Sequence, residues 1–518
     1  MKVKTLFLFV VLLLTLHFAT SAQVRKEITT VKVDMKPDTI SNYKVPQKST
    51  TYGFVTVEGK RINYEAVAGT LVLKNKEDSP TISISYIAYF KSDDKETDQR
   101  PVTFIYNGGP GSSTIWLHMG AFGPQRVYLD DTSRTKAPYK TVNNDYSLLD
   151  ASDLVFIDAP GTGFGKIITE KLGGAGEPKD FYGIDEDGDA FASFISRFVS
   201  EYSRWNSPKY LFGESYGTFR SAVVANLLQN NYRVSLNGVI LLSQLLTYEN
   251  MSDEAKSHPG NDLPYILALP SFAATAWYHH KLPGQPAQLE PFLQEVEHFA
   301  MNEYTLALNK GSLLDTTSFN EIAEKLHRYT GLPVTYIRKA DLRVNGPQFE
   351  QTLLGTDNEI TGRLDARFSG NAIDPLSEYA QYDPMDSYID GAFTATFNNY
   401  VRSQLKFGDG MEYKVYGDVE PWDFRRRKGS GTYPNVMPDL ANAMIYNPEL
   451  KVMLNMGYFD LGTPYFEGEY EMHHLPMPAS LQKNIEYDLY LSGHMVYLHP
   501  ESLKKLHDNV ARFIGATH

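Results

Sequence analysis

Short apolar runs that end in glycine-containing turns constrain this sequence more than any other feature. They lie at 102–106, 154–157, 210–212 and 452–454; a further apolar run lies at 238–242, and longer stretches with helical character alternate with these runs. An apolar run of this length that ends in a turn is typical of a buried strand, and strands that alternate with helices form parallel sheets. The sequence therefore predicts an α/β fold with a mostly parallel central sheet and helices on both faces.

Two regions depart from this pattern. Residues 52–90 alternate between apolar and polar side chains and contain polar turns such as Glu58-Gly59-Lys60, which predicts antiparallel hairpins at a sheet edge. Residues 248–447 are rich in helix formers, tyrosine, aspartate and proline, and 291–309 and 318–329 have helical periodicity. Because loops after sheet strands often carry the substrate-facing parts of such folds, we expect this block to be a large, mainly helical insertion that caps the site.

The amino terminus has the pattern of a secretory signal peptide. A basic start, Met1 to Lys4, precedes an almost wholly apolar run from Leu6 to Phe18 and then the small residues 19–22. This run is shorter than the roughly 20 residues that a membrane span needs. We expect cleavage after Ala22 and export to the periplasm or the medium, without stable membrane association.

The expected organisation therefore has four parts. Residues 1–22 form the signal peptide, 23–247 form the first part of the core with its hairpins, 248–447 form the cap, and 448–518 form the second part of the core. The sequence alone does not indicate an oligomeric state.

Composition excludes several classes of function. The chain has no cysteine, so neither disulfides nor thiol chemistry are available, and this favours a bacterial-type exported protein that is stabilised by packing. The net charge of −13 disfavours nucleic acid and anionic membranes as partners. The basic run Arg425-Arg426-Arg427-Lys428 is expected to be a solvated loop rather than a docking patch.

The segment Gly213-Glu214-Ser215-Tyr216-Gly217 contains the G-x-S-x-G pattern. It follows the run 210–212 directly and precedes the helix-like residues 219–229. Small residues around a serine allow the strained strand-to-helix turn that presents a nucleophilic hydroxyl in α/β-hydrolases. We therefore predict the α/β-hydrolase fold with Ser215 as nucleophile; the alternative is a chance match in a chain with 38 glycines.

A nucleophilic serine also needs hydrogen-bond donors for the oxyanion that forms during the reaction. In this fold they are the amide after the nucleophile and an amide in a glycine-rich turn earlier in the sheet. Tyr216 and Gly109 occupy these positions, the latter in the turn Asn-Gly-Gly-Pro-Gly at 107–111. The alternative is that these glycines form only a tight turn.

The acid and the histidine are expected after the serine in the chain, which confines the search to the last strands. Asp460 follows the run 452–454, and His494 lies in the turn Ser-Gly-His-Met at 492–495, after the residues 487–491. Both fall in loops at strand ends. We predict Ser215, Asp460 and His494 as a catalytic triad.

Other histidines compete for this role, since the chain has 13. His473 and His474 are expected at the surface or in the cap, and His499 is expected to end a loop before the last helix. No His-Glu-x-x-His or similar spacing occurs, which disfavours a metallohydrolase. We predict neither a metal nor a cofactor.

Together these motifs resemble the serine carboxypeptidases of the carboxypeptidase Y family, in a bacterial-type form. The segments that carry the resemblance are 107–113 (NGGPGSS), 154–164 (LVFIDAPGTGF), 213–217 (GESYG), 457–460 (GYFD) and 492–496 (SGHMV). The resemblance implies removal of single residues from peptide carboxyl termini by the triad, with the Gly109 and Tyr216 amides as the oxyanion hole.

The resemblance also implies a site for the terminal carboxylate of the substrate. The side chain of Asn107, the amide of Gly108 and the acid Glu214 match positions that bind this group in the family. A second acid is expected before Gly123-Pro124, but the chain has Ala121 there. Ser112 is another departure, since many relatives have a disulfide-bonded cysteine at that position.

Glu214 predicts a dependence on pH. A carboxyl group beside a bound carboxylate must keep its proton, because two like charges in contact repel each other. We therefore expect a preference for acidic pH that weakens as Glu214 ionises. The alternative is that Glu214 only packs beside the turn.

The predicted function is a secreted serine carboxypeptidase that forms an acyl-enzyme on Ser215 and acts on peptides. Because the same triad serves other acyl acceptors, an esterase or acyltransferase is the first alternative, and Ala121 keeps it open. A non-catalytic exported binding protein is the second.

Overall fold

The computed structural model describes residues 43–92, 99–133, 135–427 and 433–517. The predicted signal peptide and Lys428 lie outside the described residues. Fourteen strands occur within them: β1 (Lys48–Val57), β2 (Lys60–Lys74), β3 (Pro80–Lys91), β4 (Val102–Tyr106), β5 (Gln125–Val127), β6 (Thr141–Asn143), β7 (Asp153–Ile157), β8 (Lys166–Ile167), β9 (Lys209–Glu214), β10 (Gly238–Leu242), β11 (Glu359–Thr361), β12 (Ser369–Asn371), β13 (Lys451–Gly457) and β14 (Ile485–Tyr490).

Ten of these strands form the central sheet, in the order β1-β2-β3-β7-β4-β9-β10-β13-β14, with β8 beside β3. The strands β1, β2 and β3 pair antiparallel, and β3 is also antiparallel to β7. From β7 to β14 all neighbours are parallel. The predictions of hairpins at one edge and of a mostly parallel sheet are therefore confirmed.

Helices cover both faces of the sheet, as predicted, and each face has its own apolar core. None of the helices in the described parts of the chain combines the length and the apolar character that crossing a membrane requires. Their bounds are α1 (Ile184–Glu201), α2 (Tyr216–Leu227), α3 (Leu263–Tyr278), α4 (Leu289–Phe299), α5 (Thr305–Lys310), α6 (Thr316–Thr330), α7 (Val334–Lys339), α8 (Gly346–Leu353), α9 (Pro384–Ser403), α10 (Met437–Tyr446), α11 (Tyr465–His473) and α12 (Pro500–Thr517).

The region predicted as the cap is mainly helical. It contains α3 to α10 and the two-stranded sheet β11–β12, which is separate from the central sheet. The helical periodicity at 291–309 corresponds to continuous helical backbone from Leu289 to Lys310, in which a π-helical turn at Ala300–Tyr304 joins α4 to α5. The boundaries 23–247, 248–447 and 448–518 themselves stay a prediction.

The sheet order determines where a site can form. In chain order, β4 is the first strand of the parallel part of the sheet. The strands that follow it in the chain lie on both sides of it, with β7 on one side and β9 on the other. Crevices outside the carboxyl ends of the strands at such a point are the usual ligand sites of open α/β sheets. The turns after β4, β9, β10, β13 and β14 all open at this end, and they carry every residue predicted to be catalytic.

The basic run at 425–428 is not a solvated loop throughout, and this expectation was wrong for Arg426. Arg426 forms ion pairs with Asp185 and Asp439, and its side chain is only 15% exposed. Arg427 pairs with Glu186 and Asp189 on α1. The run is therefore attached to α1 and to α10. A single sequence does not contain this information, because the acidic partners are distant in the chain.

Candidate active site

Ser215 lies between β9 and α2 in a strained turn. Its φ of 60° is positive, a conformation that non-glycine residues avoid unless the surrounding structure imposes it. The Ser215 amide donates to the Leu242 carbonyl at 3.0 Å, which ties the turn to the end of β10. A Cβ atom on Gly213 would come within 2.2 Å of the Gly217 carbonyl oxygen. Only glycine fits there, as the predicted strand-to-helix turn requires.

The two amides predicted for the oxyanion hole belong to segments in direct contact. Tyr216 is the first residue of α2, where backbone N–H groups have no acceptor within the helix. Gly108 lies against it so closely that a Cβ atom on Gly108 would be 2.4 Å from the Tyr216 nitrogen. Gly109 follows with a φ of 107°. The glycine-rich turn and the serine turn are therefore adjacent, although the chain separates them by a hundred residues.

Asp460 and His494 are brought together by the ends of β13 and β14. His494 Nδ1 lies 2.7 Å from Asp460 Oδ2, and both side chains are buried. The Gly462 and Thr463 amides donate to Asp460 Oδ1, each at 2.9 Å, and the Thr463 hydroxyl donates to Oδ2 at 2.6 Å. These donors hold the carboxylate in one orientation toward the imidazole ring.

The backbone of His494 is held from two sides. Its amide donates to the Leu364 carbonyl at 2.6 Å, and its carbonyl accepts from the Ser243 hydroxyl at 2.5 Å. Ser243 directly follows Leu242, the residue that binds the Ser215 amide. The histidine loop and the serine turn are thus anchored to adjacent residues at the end of β10.

The charges around His494 favour its protonated form. Burial by itself lowers the pKa of His494, but the Asp460 carboxylate, its hydrogen bond and the nearby Glu214 outweigh this and raise the pKa above its usual value. A histidine with a raised pKa is a stronger base. It also becomes protonated at a higher pH than a free imidazole.

Glu214 is buried beside the serine turn, with 1% of its surface exposed. Asn107 Nδ2 donates to Glu214 Oε2 at 2.8 Å, and the Tyr497 hydroxyl lies 2.9 Å from the same oxygen. Burial raises the pKa of Glu214 to about 7, while His494 and the two hydrogen bonds oppose this effect. The carboxyl group is therefore able to keep its proton at mildly acidic pH.

Asn107 connects this acid to the glycine-rich turn. Its Oδ1 accepts from the Leu117 amide at 3.1 Å, at the start of the π-helical turn 117–122 that contains Ala121. The Ala121 side chain is buried, and its carbonyl accepts from Asn144. The position where relatives were expected to have an acid is therefore an apolar, fully packed one.

A buried ion pair between Arg220 and Asp187 contacts the residues around Ser215 and Asn107. Arg220 Nε on α2 lies 2.6 Å from Asp187 Oδ2 on α1, and the Arg220 side chain has no exposed surface. Arg220 Nη1 also donates to the Asn107 carbonyl at 2.6 Å. Through these contacts one side chain fixes both the helix that follows Ser215 and the turn that precedes Gly108.

The competing histidines lie elsewhere. His473 and His474 are exposed at the end of α11, and the His473 ring stacks on Tyr487. His499 precedes α12, where its Nδ1 lies 2.8 Å from the Ser502 hydroxyl. None of the three is recorded in contact with Asp460 or Ser215 in the described structure.

Thr463, Ser243, Arg220 and Tyr497 were not predicted from the sequence. Thr463 had one available signal, since it lies three residues after Asp460 in a loop. The others bind the site from distant parts of the chain, and no spacing rule would have found them.

Comparisons with known proteins agree with this architecture. Residues 61–267 match the family model described as serine carboxypeptidase. The serine carboxypeptidase-like 9 of Arabidopsis thaliana is 24% identical over 169 residues, which cover 31% of this chain and 36% of that protein. The chain thus aligns with about a third of the length of this curated relative.

One solved structure has a similar fold over most of the length of both chains. The prohormone-processing carboxypeptidase Kex1Δp from Saccharomyces cerevisiae superposes with a TM-score of 0.53 at 14% identity, over 88% of this chain and 92% of that one. At this identity the likeness establishes the fold alone. The fold is that of the α/β-hydrolases. The family match confirms the predicted resemblance to the serine carboxypeptidases over residues 61–267.

Proposed function

We propose that this protein is a serine carboxypeptidase that releases single residues from the carboxyl termini of peptides. The observation that carries the proposal is the position of Glu214. It is a buried acid hydrogen-bonded to Asn107, and it directly precedes the serine of the strained turn. A carboxyl group that keeps its proton can donate to a free carboxylate, which an internal segment of a peptide lacks.

In the proposed reaction, the Ser215 hydroxyl attacks the carbonyl carbon of the last peptide bond while His494 Nε2 takes its proton. The Asp460 carboxylate stabilises the imidazolium, and the amides of Gly109 and Tyr216 stabilise the oxyanion. His494 then gives the proton to the leaving nitrogen, the C–N bond breaks, and an ester remains on Ser215. Water deprotonated by His494 hydrolyses this ester and restores the enzyme.

The terminal carboxylate of the substrate is proposed to bind beside this machinery. Protonated Glu214, the Asn107 side chain and the Gly108 amide supply its donors. Because the carboxylate then lies next to Ser215, only the last peptide bond reaches the nucleophile. The expected outcome is exopeptidase cleavage.

The test compares a blocked dipeptide that has a free carboxyl terminus with its amide. A carboxypeptidase prefers the free acid strongly, whereas an esterase or acyltransferase that uses the same triad shows no such preference. Mass spectrometry of a peptide pool provides the second measurement. Ladders shortened from the carboxyl terminus, absent with Ser215→Ala, support the proposal, and internal cuts refute it.

A non-catalytic binding protein is distinguished by chemical labelling. A fluorophosphonate reacts with a serine only when its hydroxyl is activated. Labelling of the native protein and not of Ser215→Ala supports an enzyme. Absence of labelling in both favours a binding protein.

We also propose export, with residues 1–22 as a signal peptide. The basic, apolar and small-residue segments of this stretch support the proposal. Amino-terminal sequencing of the mature protein from its native host tests it. A start at Gln23 is expected, and retention of Met1 would contradict it.

A further inference from the structure

The Tyr497 hydroxyl contacts both carboxylate oxygens of Glu214. It lies 2.9 Å from Oε2 and 3.2 Å from Oε1, and the tyrosine is 4% exposed. Glu214 therefore has two side-chain partners, Asn107 and Tyr497, which come from opposite ends of the chain. The phenol has a single proton to donate, and both carboxylate oxygens lie within hydrogen-bond distance of it.

The Tyr497 ring packs on the π-helical turn that carries Ala121. A Cβ atom on Gly120 would be 2.6 Å from Tyr497 Cε2, so the ring lies directly over the residue before Ala121. Glycine at 120 gives the ring room to approach. The phenol thus reaches Glu214 across the turn where an acid was expected.

We propose that Tyr497 is a specificity-determining residue that pairs with Glu214 to bind the free carboxylate of the substrate, in the role left vacant by Ala121. This inference rests on the proposed carboxypeptidase function. A tyrosine hydroxyl and a carboxyl group both donate hydrogen bonds, so either can pair with Glu214. They differ in how readily they lose the proton.

Because a tyrosine loses its proton less readily than a carboxyl group, the pH dependence of carboxylate binding should differ between a tyrosine–glutamate pair and a pair of acids. Burial and the neighbouring Glu214 raise the pKa of Tyr497 well above its ordinary value, so its hydroxyl stays protonated over the pH range in which Glu214 titrates. A pair of acids has two protons to lose, whereas this pair has one, on Glu214. Loss of binding with rising pH should therefore follow a single titration. The groups that act on Glu214 are His494, Tyr497, Asn107 and Asp460, and Tyr416 also lies near enough to interact with it.

The experiment is the Tyr497→Phe variant, assayed with a blocked dipeptide that has a free carboxyl terminus and with a blocked amino-acid ester that has no carboxylate. Loss of the hydrogen bond between Tyr497 and protonated Glu214 should raise the KM for the dipeptide at pH 6 by up to about tenfold. Hydrolysis of the ester, which has no carboxylate to bind, should fall much less than hydrolysis of the dipeptide. The matched control is Tyr329→Phe, a buried tyrosine whose hydroxyl donates to Glu295 at 2.7 Å; its kinetics should equal those of the native protein.

The pH profile separates recognition from a structural role. The Tyr497 hydrogen bond lowers the pKa of Glu214, so Tyr497→Phe should move the rise in dipeptide KM to higher pH. An unchanged dipeptide KM, an equal loss of ester and dipeptide hydrolysis, or an unmoved pH profile would each overturn the inference. If the native protein itself does not distinguish the dipeptide from its amide, the proposed function has failed, and the inference falls with it.

Discussion

The Thr463 hydroxyl and the His494 imidazole share one oxygen of Asp460. Thr463 Oγ1 donates to Asp460 Oδ2 at 2.6 Å, and His494 Nδ1 lies 2.7 Å from the same atom. The threonine is also 3.1 Å from His494 Nδ1. This arrangement restricts rotation of both the carboxylate and the ring, and precise orientation of the base contributes to the rate of a triad.

Thr463→Val should therefore lower kcat for a peptide substrate by about tenfold and leave KM nearly unchanged, because one orienting hydrogen bond to Asp460 is lost. Steady-state kinetics measure both constants. Thr275→Val is the control, since Thr275 is buried in α3 and its hydroxyl donates to the Ser271 carbonyl. Equal kinetics in the two variants would contradict the orienting role.

Glu214 and His494 should give the reaction two limits in pH. His494, with its raised pKa, must be neutral to act as base, so kcat/KM should fall as the pH falls through that pKa, which lies above the ordinary value for histidine. Glu214 must be protonated to bind a carboxylate, so KM for a free acid should rise as the pH rises through about 7. The pH profile for a free acid should therefore be bell-shaped, with His494 setting its acidic side and Glu214 its alkaline side.

The Glu214→Gln variant tests both limits together. An amide cannot ionise, so the rise in KM above pH 7 should disappear. The acidic limit, which His494 sets, should stay where it is, because Glu214 already carries a proton there and has no charge to lose. An unchanged profile at both ends would refute these roles for Glu214.

The sequence predicted the elements around the site well because their signals are local. The strands 102–106 and 238–242 were expected with the boundaries that the structure has, since a short apolar run between turns has few other interpretations. The turn at 213–217 was identified because its glycines are required by a close backbone approach. Constraints of this kind can be recognised from the amino-acid types within a few neighbouring residues.

Contacts between distant segments could not be predicted in the same way. Tyr497 and Glu214 are separated by 283 residues, and Arg426 and Asp185 by 241. Neither pair lies within one element, so no periodicity relates them. The π-helical turn at Ala300–Tyr304 was missed for another reason, because its apolar spacing is that of an ordinary helix.

The Arg220–Asp187 pair should be one of the largest single contributions to the integrity of the site. Arg220→Met leaves a buried carboxylate without its partner, and such changes typically cost about 3–5 kcal/mol. Chemical denaturation monitored by circular dichroism measures the loss. The double variant Arg220→Met/Asp187→Leu removes both charges and should recover part of the stability.

The exposed pair Arg512–Glu486 is the control for this prediction. Arg512→Met should leave the free energy of unfolding nearly unchanged, because exposed ion pairs contribute little. A similar loss in the two arginine variants would mean that burial of the Arg220 pair is not the cause.

The buried acids Glu350 and Glu467 should make the protein less stable at alkaline pH. Glu350 is buried, and burial together with Asp253 raises its pKa to about 8; Arg363 opposes this shift. Burial and the proximity of Glu471 raise the pKa of Glu467 as well. In both cases the folded state binds a proton that the unfolded chain releases at a lower pH. Stability contributed by these protons is complete below the ordinary pKa of glutamate and is lost as the pH rises toward 8.

Each such group adds a slope of up to about 1.4 kcal/mol per pH unit between its unfolded and folded pKa values. Urea denaturation at pH 5, 6, 7 and 8 should therefore give a free energy of unfolding that decreases with pH. Glu350→Gln should flatten this decrease, because a glutamine has no proton to lose, whereas Glu321→Gln on the exposed face of α6 should not. A parallel decrease in all three proteins would show that the buried glutamate is ionised in the folded state at every pH tested, and would refute the prediction.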